Sequence, residues 1–401
     1  MKKLATIILA IVLLGAIPHA VSAQSKAGEQ VVIGFIGPLT GPSAYIGVDS
    51  LHGCIVAAED INQTNPLVVK GKKYAIRVEY HDDEMNPAKS VAGMKKLKEK
   101  FGISTLVNNL SGTIMALLQE NEKLGVITIG YFRTPHATTR GNKLVLRYQA
   151  TAYQEVAIMG KQAAEVYKAK TYAIISENTE FGKTLVPTFE KSKKDLGYNI
   201  TSVALEWFDP TTTTDFRPLL TKIKATNPDI IVCFAYDEAT AGIIIQAKEL
   251  GIKQKFLLFT AFQALGQKMT GPARIEGFGM PLAYFNVIPT PLSKKYYQEI
   301  YPKQAQARGW KEPMGDYGLN NFGAVWTLRL LMEKAGSVDD AYKIKAEAPH
   351  IFPIPEKYNS VGLTAWDDKG EGTTMIKMGI FHNGKLYTPE YLESQGIKVG
   401  K

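Results

Sequence analysis

Short apolar runs alternate with amphipathic stretches along most of the chain. Compact apolar runs indicate strands, whereas apolar residues spaced three and four apart indicate helices. The first half of the pattern predicts strands at 31–36, 74–80, 104–107 and 126–129 and helices at 52–62, 87–100 and 113–123. The second half predicts strands at 172–175, 200–207, 230–234 and 256–259 and helices at 155–167, 181–196, 215–225 and 238–250.

Two successive arrays of this kind predict an α/β protein with two doubly wound, largely parallel, Rossmann-like lobes. No low-complexity linker separates the arrays, so we expect short crossovers and closely coupled lobes. After residue 274 the rhythm changes. Helices are predicted at 293–307 and 317–334, followed by a hairpin of 375–381 and 385–387 that turns at Asn383-Gly384.

The N-terminus has the three parts of a secretory signal peptide. Lys2 and Lys3 precede an apolar run at 4–17, Pro18 ends that run, and Val21-Ser22-Ala23 offers small residues for cleavage. The apolar run is too short to span a membrane. The sequence therefore predicts a signal peptide at 1–23 and an exported, periplasmic protein.

Composition and missing motifs disfavour several function classes. The formal charge at pH 7 is +9, but no block of Lys or Arg accompanies it, so no nucleic-acid partner is predicted. The 2 cysteines, Cys54 and Cys233, lie in apolar segments and are expected to be buried and reduced. HExxH, GxSxG and P-loop motifs are absent from the sequence. We therefore predict no catalytic residue, no metal and no cofactor.

Candidate binding residues follow the predicted strands, because ligands of doubly wound proteins bind at the carboxyl ends of the strands. Hydroxyl groups and backbone N–H groups at 111–113 suit a carboxylate, and the Arg133 guanidinium is suited to bidentate binding of one. Tyr153 and Phe181 are aromatic residues near the proposed cleft. The candidates at the four strand ends are Ser111, Gly112, Thr113, Phe132, Arg133, Thr134, Tyr236 and Thr260.

At these residues the chain resembles the type I periplasmic binding proteins of ABC importers, specifically the branched-chain amino-acid (leucine-binding) family. The motifs that carry the resemblance cover essentially all of the predicted mature chain. They are residues 32–42, Ala57-Ala58-Glu59-Asp60-Ile61-Asn62, Asp82-Asp83 with Asn86-Pro87, Phe181-Gly182 with Phe216, and Trp366-Asp367 with Lys369-Gly370.

The resemblance implies two lobes joined by three crossovers, which close on a ligand. Lobe one would comprise 24–148 plus 283–352, and lobe two 149–282 plus 353–401. Ser111 and Thr134 would contact a ligand carboxylate, with Phe132 lending backbone groups. Phe181 and Tyr236 would line the pocket from lobe two, and Ile46 would contact the apolar end of the ligand.

One departure from the family concerns ligand charge. The family usually places Glu or Asp after the fourth strand of lobe two, where it accepts an ammonium group, but this chain has Thr260-Ala261 there. A hydroxyl does not replace a full charge in a desolvated cleft. Asp237 and Glu238 are alternative acids, although both also suit the start of a helix.

The sequence favours a monomeric solute-binding protein that captures a small carboxylate-bearing ligand, a branched-chain or other hydrophobic amino acid. The partner that the resemblance implies is the membrane permease of an ABC importer. A non-amino-acid ligand, such as an aromatic carboxylate or an amide, is the alternative. An exported enzyme is disfavoured, because the sequence offers no nucleophile–base pair.

Overall fold

The computed structural model describes residues 29–41, 43–283, 290–310 and 315–400. The predicted signal peptide, residues 1–23, lies outside the described residues. Within those residues, no helix is both long and apolar enough to cross a bilayer.

The first sheet has 6 strands in the order β2-β3-β1-β4-β5-β6. Its pairs are parallel except for the antiparallel hairpin of β2 and β3. That hairpin turns at Lys70 and Gly71, whose φ angles are 50° and 80°, and positive φ at both central residues matches the twist of the strands. The strands are β1 Glu29–Gly37, β2 Leu67–Val69, β3 Lys72–Asp82, β4 Thr105–Val107, β5 Ile127–Gly130 and β6 Val145–Arg147.

The second sheet has 7 strands in the order β15-β14-β11-β10-β9-β7-β8. The strands from β8 to β11 are parallel, while β14 pairs antiparallel with both β11 and β15. The strands are β7 Thr171–Glu177, β8 Thr201–Phe208, β9 Ile230–Phe234, β10 Lys255–Leu258, β11 Gly279–Ala283, β14 Ile376–His382 and β15 Lys385–Tyr387. A separate hairpin consists of β12 Leu363–Trp366 and β13 Gly372–Thr374.

Helices cover the sheets in both lobes. In chain order they are α1 Ala44–Thr64, α2 Pro87–Phe101, α3 Ser111–Leu117, α4 Asn121–Leu124, α5 His136–Thr139, α6 Ala152–Lys161, α7 Glu180–Asp195, α8 Arg217–Thr226, α9 Asp237–Glu249, α10 Ala264–Thr270, α11 Pro272–Ile275, α12 Pro291–Lys295, α13 Tyr301–Arg308, α14 Asp316–Ala335, α15 Ala341–Ala346 and α16 Pro389–Ser394. Wider π turns extend α6 through Gln162–Val166 and join α12 to α13 through Tyr296–Ile300. Shorter 3₁₀ turns occupy Ala348–His350 and Glu356–Tyr358.

Local sequence signals explain where α2 begins and ends. The Asn86 side chain accepts the backbone N–H groups of Ala88 and Lys89, and Pro87 occupies the first helical position. Gly102 ends the helix in the left-handed conformation with φ of 65°. The next strand, β4, begins three residues after this glycine and runs toward the cleft.

The predicted fold class, two doubly wound α/β lobes, is confirmed by the two separate sheets. Each lobe has its own apolar core. In the first lobe, α1 and α14 pack together over one face of the sheet. In the second lobe, buried apolar side chains cover both faces of the central strands β7, β9 and β10. The carboxyl ends of the parallel strands are thus fixed in place by two independent cores.

The helix predicted at 113–123 is wrong in its bounds, because the chain breaks it into α3 and α4. At the break, the N–H groups of Gln119 and Glu120 bond to carbonyl groups three residues earlier, which tightens the turn. The buried Asn121 side chain then donates to the carbonyl groups of Val126 and Leu144. These tertiary bonds replace the helical continuation, so α3 is only 7 residues long.

The assignment of all of 353–401 to lobe two is also wrong. Leu363 and Trp366 of the β12–β13 hairpin lie in the core of lobe one. The Trp366 indole Nε1–H donates to the Arg147 carbonyl over 2.7 Å. Because β13 ends at Thr374 and β14 begins at Ile376 in the other sheet, the chain passes from lobe one to lobe two at Met375.

Helix α6 begins earlier than the predicted residue 155. Thr151 and Gln154 form a reciprocal capping box, in which the Thr151 hydroxyl accepts the Gln154 N–H and the Gln154 side chain accepts the Thr151 N–H. The sequence signal for this start, Thr151 followed three residues later by Gln154, is present in the chain. It places Glu155 in the first turn of the helix, at the edge of the cleft.

The two cysteines allow a direct test of the lobe arrangement. Cys54 is buried in the core of lobe one and Cys233 in the core of lobe two, and both are free thiols. We expect thiol labelling of the denatured, unreduced protein to count two free thiols, and labelling of the native protein to be slow because both groups are buried. A count of zero would contradict this separation of the cysteines.

Candidate ligand-binding site

The cleft between the lobes is closed, and a single arginine crosses it. Arg133 follows β5 in lobe one, and its Nη2 group donates to the Thr260 hydroxyl of lobe two over 2.6 Å. A second contact joins the Thr134 hydroxyl to a carboxylate oxygen of Glu180 at 3.4 Å. The strand ends of the two sheets therefore face each other across the same space.

Arg133 forms a buried ion pair with Glu155. Only 4% of Arg133 and 2% of Glu155 is exposed, and the Nε atom lies 2.8 Å from Glu155 Oε2. Arg133 Nη2 also donates to the Tyr131 hydroxyl over 2.8 Å, and the guanidinium carbon lies 4.2 Å from the centre of the Tyr131 ring. Burial leaves the pair little screened by salt, and the tyrosine ring adds a cation–π contact.

Glu155 is a site residue that the sequence analysis missed. Its Oε1 atom accepts a hydrogen bond from the Thr260 hydroxyl over 2.8 Å, so the acid stands beside the residue that replaces the family's usual acid. Burial raises the pKa of the Glu155 carboxyl, and the Arg133 guanidinium beside it lowers that pKa again by stabilising the ionised form. The capping box of Thr151 and Gln154 is the sequence signal that could have identified Glu155 as a cleft residue, because it places Glu155 in the first turn of α6.

Ser111 positions the loop that carries Arg133. Its hydroxyl oxygen accepts the backbone N–H groups of Arg133 at 3.1 Å and Thr134 at 3.2 Å. The backbone carbonyl group of Phe132 accepts hydrogen bonds from Arg147 and Gln149, so that oxygen is already used within lobe one. Ser111 and Thr134 thus lie together, as the resemblance implies, while the Phe132 carbonyl faces protein donors.

Gly112 and Thr113 contribute less than the sequence pattern suggests. Gly112 is exposed, and a Cβ atom added there would meet nothing within 4 Å. The Thr113 hydroxyl lies 3.2 Å from both the Asn108 side chain and the Leu110 carbonyl group. These bonds hold the first turn of α3 together rather than leaving a hydroxyl for a ligand.

Aromatic side chains from both lobes line the cleft. Phe181 stacks on Tyr236 with ring centres 4.6 Å apart and meets Phe259 edge-on at 5.5 Å. From lobe one, Tyr131 meets Tyr317 edge-on at 6.0 Å. Tyr236 packs against a buried cluster of lobe one, so the predicted residues Phe181, Tyr236 and Ile46 do come together. The members of that cluster are Ile46, Leu110, Tyr131 and Tyr317.

Tyr153 does not belong to this group, which corrects its selection as a site residue. Its hydroxyl donates to Asp195 over 3.0 Å, and Lys191 lies over its ring. Asp195 ends α7, whereas Phe181 lies at the start of that helix. A helix of 16 residues spans about 24 Å, so Tyr153 lies at the end of α7 remote from the cleft.

The two alternative acids also have other roles. Asp237 Oδ1 accepts the backbone N–H groups of Gln263 at 2.5 Å and Gly266 at 2.9 Å, which caps α10. Glu238 is exposed. A further acid, Glu177, accepts the Tyr236 backbone N–H over 2.9 Å and is buried. Within the ranges that the structure covers, no three His, Cys, Asp or Glu side chains are grouped to hold a metal ion.

A sequence profile described as "Periplasmic binding protein" matches residues 30–352, which is most of the chain. The chain belongs to the periplasmic binding protein family. This confirms the resemblance drawn from the sequence motifs.

Known periplasmic binding proteins resemble the chain over nearly its full length. The Leucine-, isoleucine-, valine-, threonine-, and alanine-binding protein of Pseudomonas aeruginosa is 25% identical, over 87% of this chain and 89% of that protein. The branched-chain amino-acid transporter substrate-binding protein LivJ of Streptococcus pneumoniae, solved with isoleucine, has a TM-score of 0.76 at 20% identity, covering 89% of this chain and 98% of its own.

A third relative has a different ligand. The ABC transporter solute-binding protein of R. palustris, solved with 4-hydroxybenzoate, has a TM-score of 0.70 at 19% identity, covering 89% of this chain and 95% of its own. The two-lobed fold is therefore shared by periplasmic binding proteins with chemically different ligands.

The pH dependence of stability tests the burial of the cleft acids. Burial raises the pKa of the Glu177 carboxyl from its ordinary 4.5 to about 7, so between these values the folded protein keeps a proton that the unfolded chain releases. This group therefore lowers the free energy of unfolding as the pH rises through that window. Glu177→Gln keeps an acceptor for the Tyr236 N–H and removes the titration.

We expect Glu177→Gln to make the fall in unfolding free energy between pH 4.5 and 7 shallower, by at most about 1.4 kcal/mol per pH unit. Denaturant unfolding of the ligand-free protein at a series of pH values measures this slope. Glu393→Gln, which removes an exposed carboxyl group on α16, is the matched control. A slope identical to wild type in Glu177→Gln would contradict the raised pKa.

Proposed function

We propose that this protein is a solute-binding protein of an ABC importer that captures a small carboxylate-bearing ligand, in the first place an amino acid. The observation that carries the proposal is Arg133, buried between the lobes with no hydrogen-bond partner for its Nη1 group among the described residues. An unpaired donor of a buried guanidinium is costly unless an acceptor joins it. A carboxylate oxygen of the ligand supplies that acceptor in a charge-assisted hydrogen bond to Nη1.

Lobe closure follows from the same contacts. Arg133 and Ser111 belong to lobe one, whereas Glu155, Thr260 and Tyr236 belong to lobe two. A ligand that contacts both sets stabilises the closed arrangement over an open one, because an open cleft offers it only half of these contacts. The closed complex would then be the form presented to the membrane permease.

Charge balance favours an amino acid over a carboxylate that lacks an ammonium group. Arg133 and Glu155 already neutralise each other in the buried cleft. A zwitterionic ligand adds no net charge, with its carboxylate directed to Arg133 and its ammonium group to Glu155. An ammonium-free carboxylate adds an unbalanced negative charge to a desolvated site, which costs several kcal/mol.

A second candidate ligand class, aromatic carboxylates, is favoured by the rings around Arg133. The guanidinium carbon lies 4.2 Å from the Tyr131 ring centre and 5.1 Å from that of Phe259. These faces, together with stacked Phe181 and Tyr236, offer surfaces on which an aromatic ring packs well. The 4-hydroxybenzoate complex of a related protein is consistent with this alternative.

The remaining attributes rest on family membership. Relatives named as amino-acid-binding proteins support transport rather than catalysis as the role. Periplasmic location, export through a signal peptide at 1–23, cooperation with a membrane permease and a monomeric state are part of the same proposal. The proposal also includes the lobe boundaries given above, except that the third crossover lies at Met375 and not between residues 352 and 353.

Ser111 provides a test of the carboxylate end of the site. Ser111→Ala removes the acceptor of two backbone N–H groups and the hydroxyl that would donate to the ligand carboxylate. We expect weaker binding by about tenfold to a hundredfold, the equivalent of one charge-assisted hydrogen bond of ~1.5–3 kcal/mol. Isothermal titration with leucine, phenylalanine and benzoate measures the change for each probe that binds the wild type.

Ser104→Ala is the matched control. Ser104 lies just before β4, whereas Ser111 follows that strand at its other end. Its buried hydroxyl donates to the Val338 carbonyl group over 2.7 Å. The control should lower stability without changing affinity. If every probe that binds keeps its affinity in Ser111→Ala, the ligand carboxylate does not bind at Ser111.

Glu155→Gln distinguishes the two ligand classes. An amino acid loses its ammonium acceptor, so leucine should bind at least tenfold more weakly. An ammonium-free acid such as benzoate loses a repelling charge and should bind no more weakly than before. Thr260→Val is the control and is titrated with the same probes. It removes the hydroxyl that bridges Arg133 and Glu155 but keeps both charges, so it should change the affinity for leucine and for benzoate by the same factor. Equal losses for leucine and benzoate in Glu155→Gln would contradict a role in ammonium recognition.

A further inference from the structure

A small cavity of about 30 Å³ lies between the lobes. Helix starts from both lobes surround it. The residues that form its polar wall are Tyr45, Asp49, Gly315 and Tyr317 from lobe one and Asp237 and Gln263 from lobe two. Because both lobes contribute, the cavity exists only when the cleft is closed.

The two carboxylates in this wall are anchored as helix caps. Asp49, on α1, accepts the N–H groups of Gly315 at 3.1 Å and Gly318 at 2.8 Å, which caps α14. Asp237 caps α10 in the corresponding way. These bonds account for the buried acids themselves, so the acids alone do not identify a binding site. Most of the remaining wall is apolar, with the rings of Tyr45 and Tyr317 and the side chains of Ala264 and Leu265.

Two further polar atoms in the wall have no partner among the described residues. They are the Tyr317 hydroxyl and the Gln263 carbonyl oxygen, on residues that are only 4% and 5% exposed. The position that a Cβ atom at residue 315 would take lies 3.7 Å from Gln263 Oε1 and 2.6 Å from Asp49 Oδ2. Glycine at 315 therefore lets the backbone come close to Asp49, where the Gly315 N–H donates to Asp49 Oδ1. A buried phenol O–H needs an acceptor and a buried amide oxygen needs a donor, so the two together call for a group in the cavity that does both, such as a hydroxyl.

The cavity is connected to Arg133 by packed side chains. Tyr317 meets the Tyr131 ring, and the Tyr131 hydroxyl accepts from Arg133. A ligand with its carboxylate at Arg133 would have to part these two tyrosine rings to place its other end in the cavity. A volume of about 30 Å³ has room for one small polar group, such as a hydroxyl or an amino group.

We propose that this cavity is a subsite for a hydrogen-bond-donating group at the distal end of the ligand, read by Tyr317 and Gln263. The inference rests on the proposed function, in which the ligand carboxylate binds near Arg133. It narrows the ligand class to amino acids or other carboxylates that end in a hydroxyl, amide or amino group. A purely apolar side chain would leave both the Tyr317 hydroxyl and the Gln263 oxygen unsatisfied.

Matched pairs of probes test the subsite. Tyrosine is compared with phenylalanine, asparagine with its near-isostere leucine, and 4-hydroxybenzoate with benzoate, each by isothermal titration against wild type. In the pair that fits the cleft, we expect the member with the distal donor to bind at least tenfold more tightly. In Tyr317→Phe and Gln263→Leu, that preference should fall below about threefold, while the member without the donor keeps its affinity.

Gln267→Leu is the control variant. Gln267 lies on α10, the helix that Asp237 caps, and its side chain donates to the Phe262 carbonyl group at 3.3 Å. It should keep the wild-type preference. Tyr317→Phe removes a hydroxyl that has no partner, so its melting temperature without ligand should not fall.

The outcomes separate the subsite from the proposed function. If the members of every pair that binds have equal affinity, or if the preference survives in both Tyr317→Phe and Gln263→Leu, the subsite is refuted and the carboxylate site stands. If no probe of any pair binds, the proposed carboxylate ligand fails and the subsite falls with it.

Discussion

The closed arrangement of this protein depends on a buried ion pair between its lobes. Arg133 and Glu155 are nearly inaccessible to water, and Thr260 links them by accepting from one and donating to the other. Taking two charges out of water is costly, and only close contact and full hydrogen bonding offset that cost. When the lobes separate, both charges regain water, so the pair by itself contributes little net free energy to closure. Burial of the surrounding aromatic rings supplies the favourable contribution.

This explains why the cleft combines charge with so many rings. Tyr131, Phe181, Tyr236, Phe259 and Tyr317 surround the ion pair with low-polarity surface. Low polarity strengthens the attraction between the charges and also raises the penalty for any polar atom left unpaired. A ligand that completes the hydrogen bonds gains from both effects, and a poorly matched ligand loses from both. Selectivity therefore arises from unsatisfied atoms as much as from attractive contacts.

Much of the fold could be predicted from the sequence, because strand and helix periodicity is a local property. The strands β1, β3, β4, β5, β7, β8, β9 and β10 all follow the predicted apolar runs. The β12–β13 hairpin could not be placed, since its location depends on the hydrogen bond from the Trp366 indole to the Arg147 carbonyl group, far away in the chain. Tyr153 was misplaced because successive residues point about 100° apart around a helix, so Tyr153 and Glu155 lie on opposite sides of α6.

The site was only partly predictable. Ser111, Arg133, Thr134, Phe181, Tyr236 and Thr260 lie at strand ends, where topology alone brings them together. Glu155 instead comes from the first turn of a crossover helix, so its place depends on the capping box at Thr151. Asp49 and Gln263 face each other only through the meeting of the lobes, which no local pattern reveals.

The crossover at Met375 has a consequence for how the cleft can open. One residue separates a strand end anchored on lobe one from a strand built into the sheet of lobe two, so the two ends stay within about 7 Å of each other in every state. At this point the lobes cannot slide apart, and they can only turn about it. The chain thereby removes relative translation of the two bodies at this point and leaves rotation. For each degree of rotation, the gap between the lobes widens most at the side farthest from this pivot.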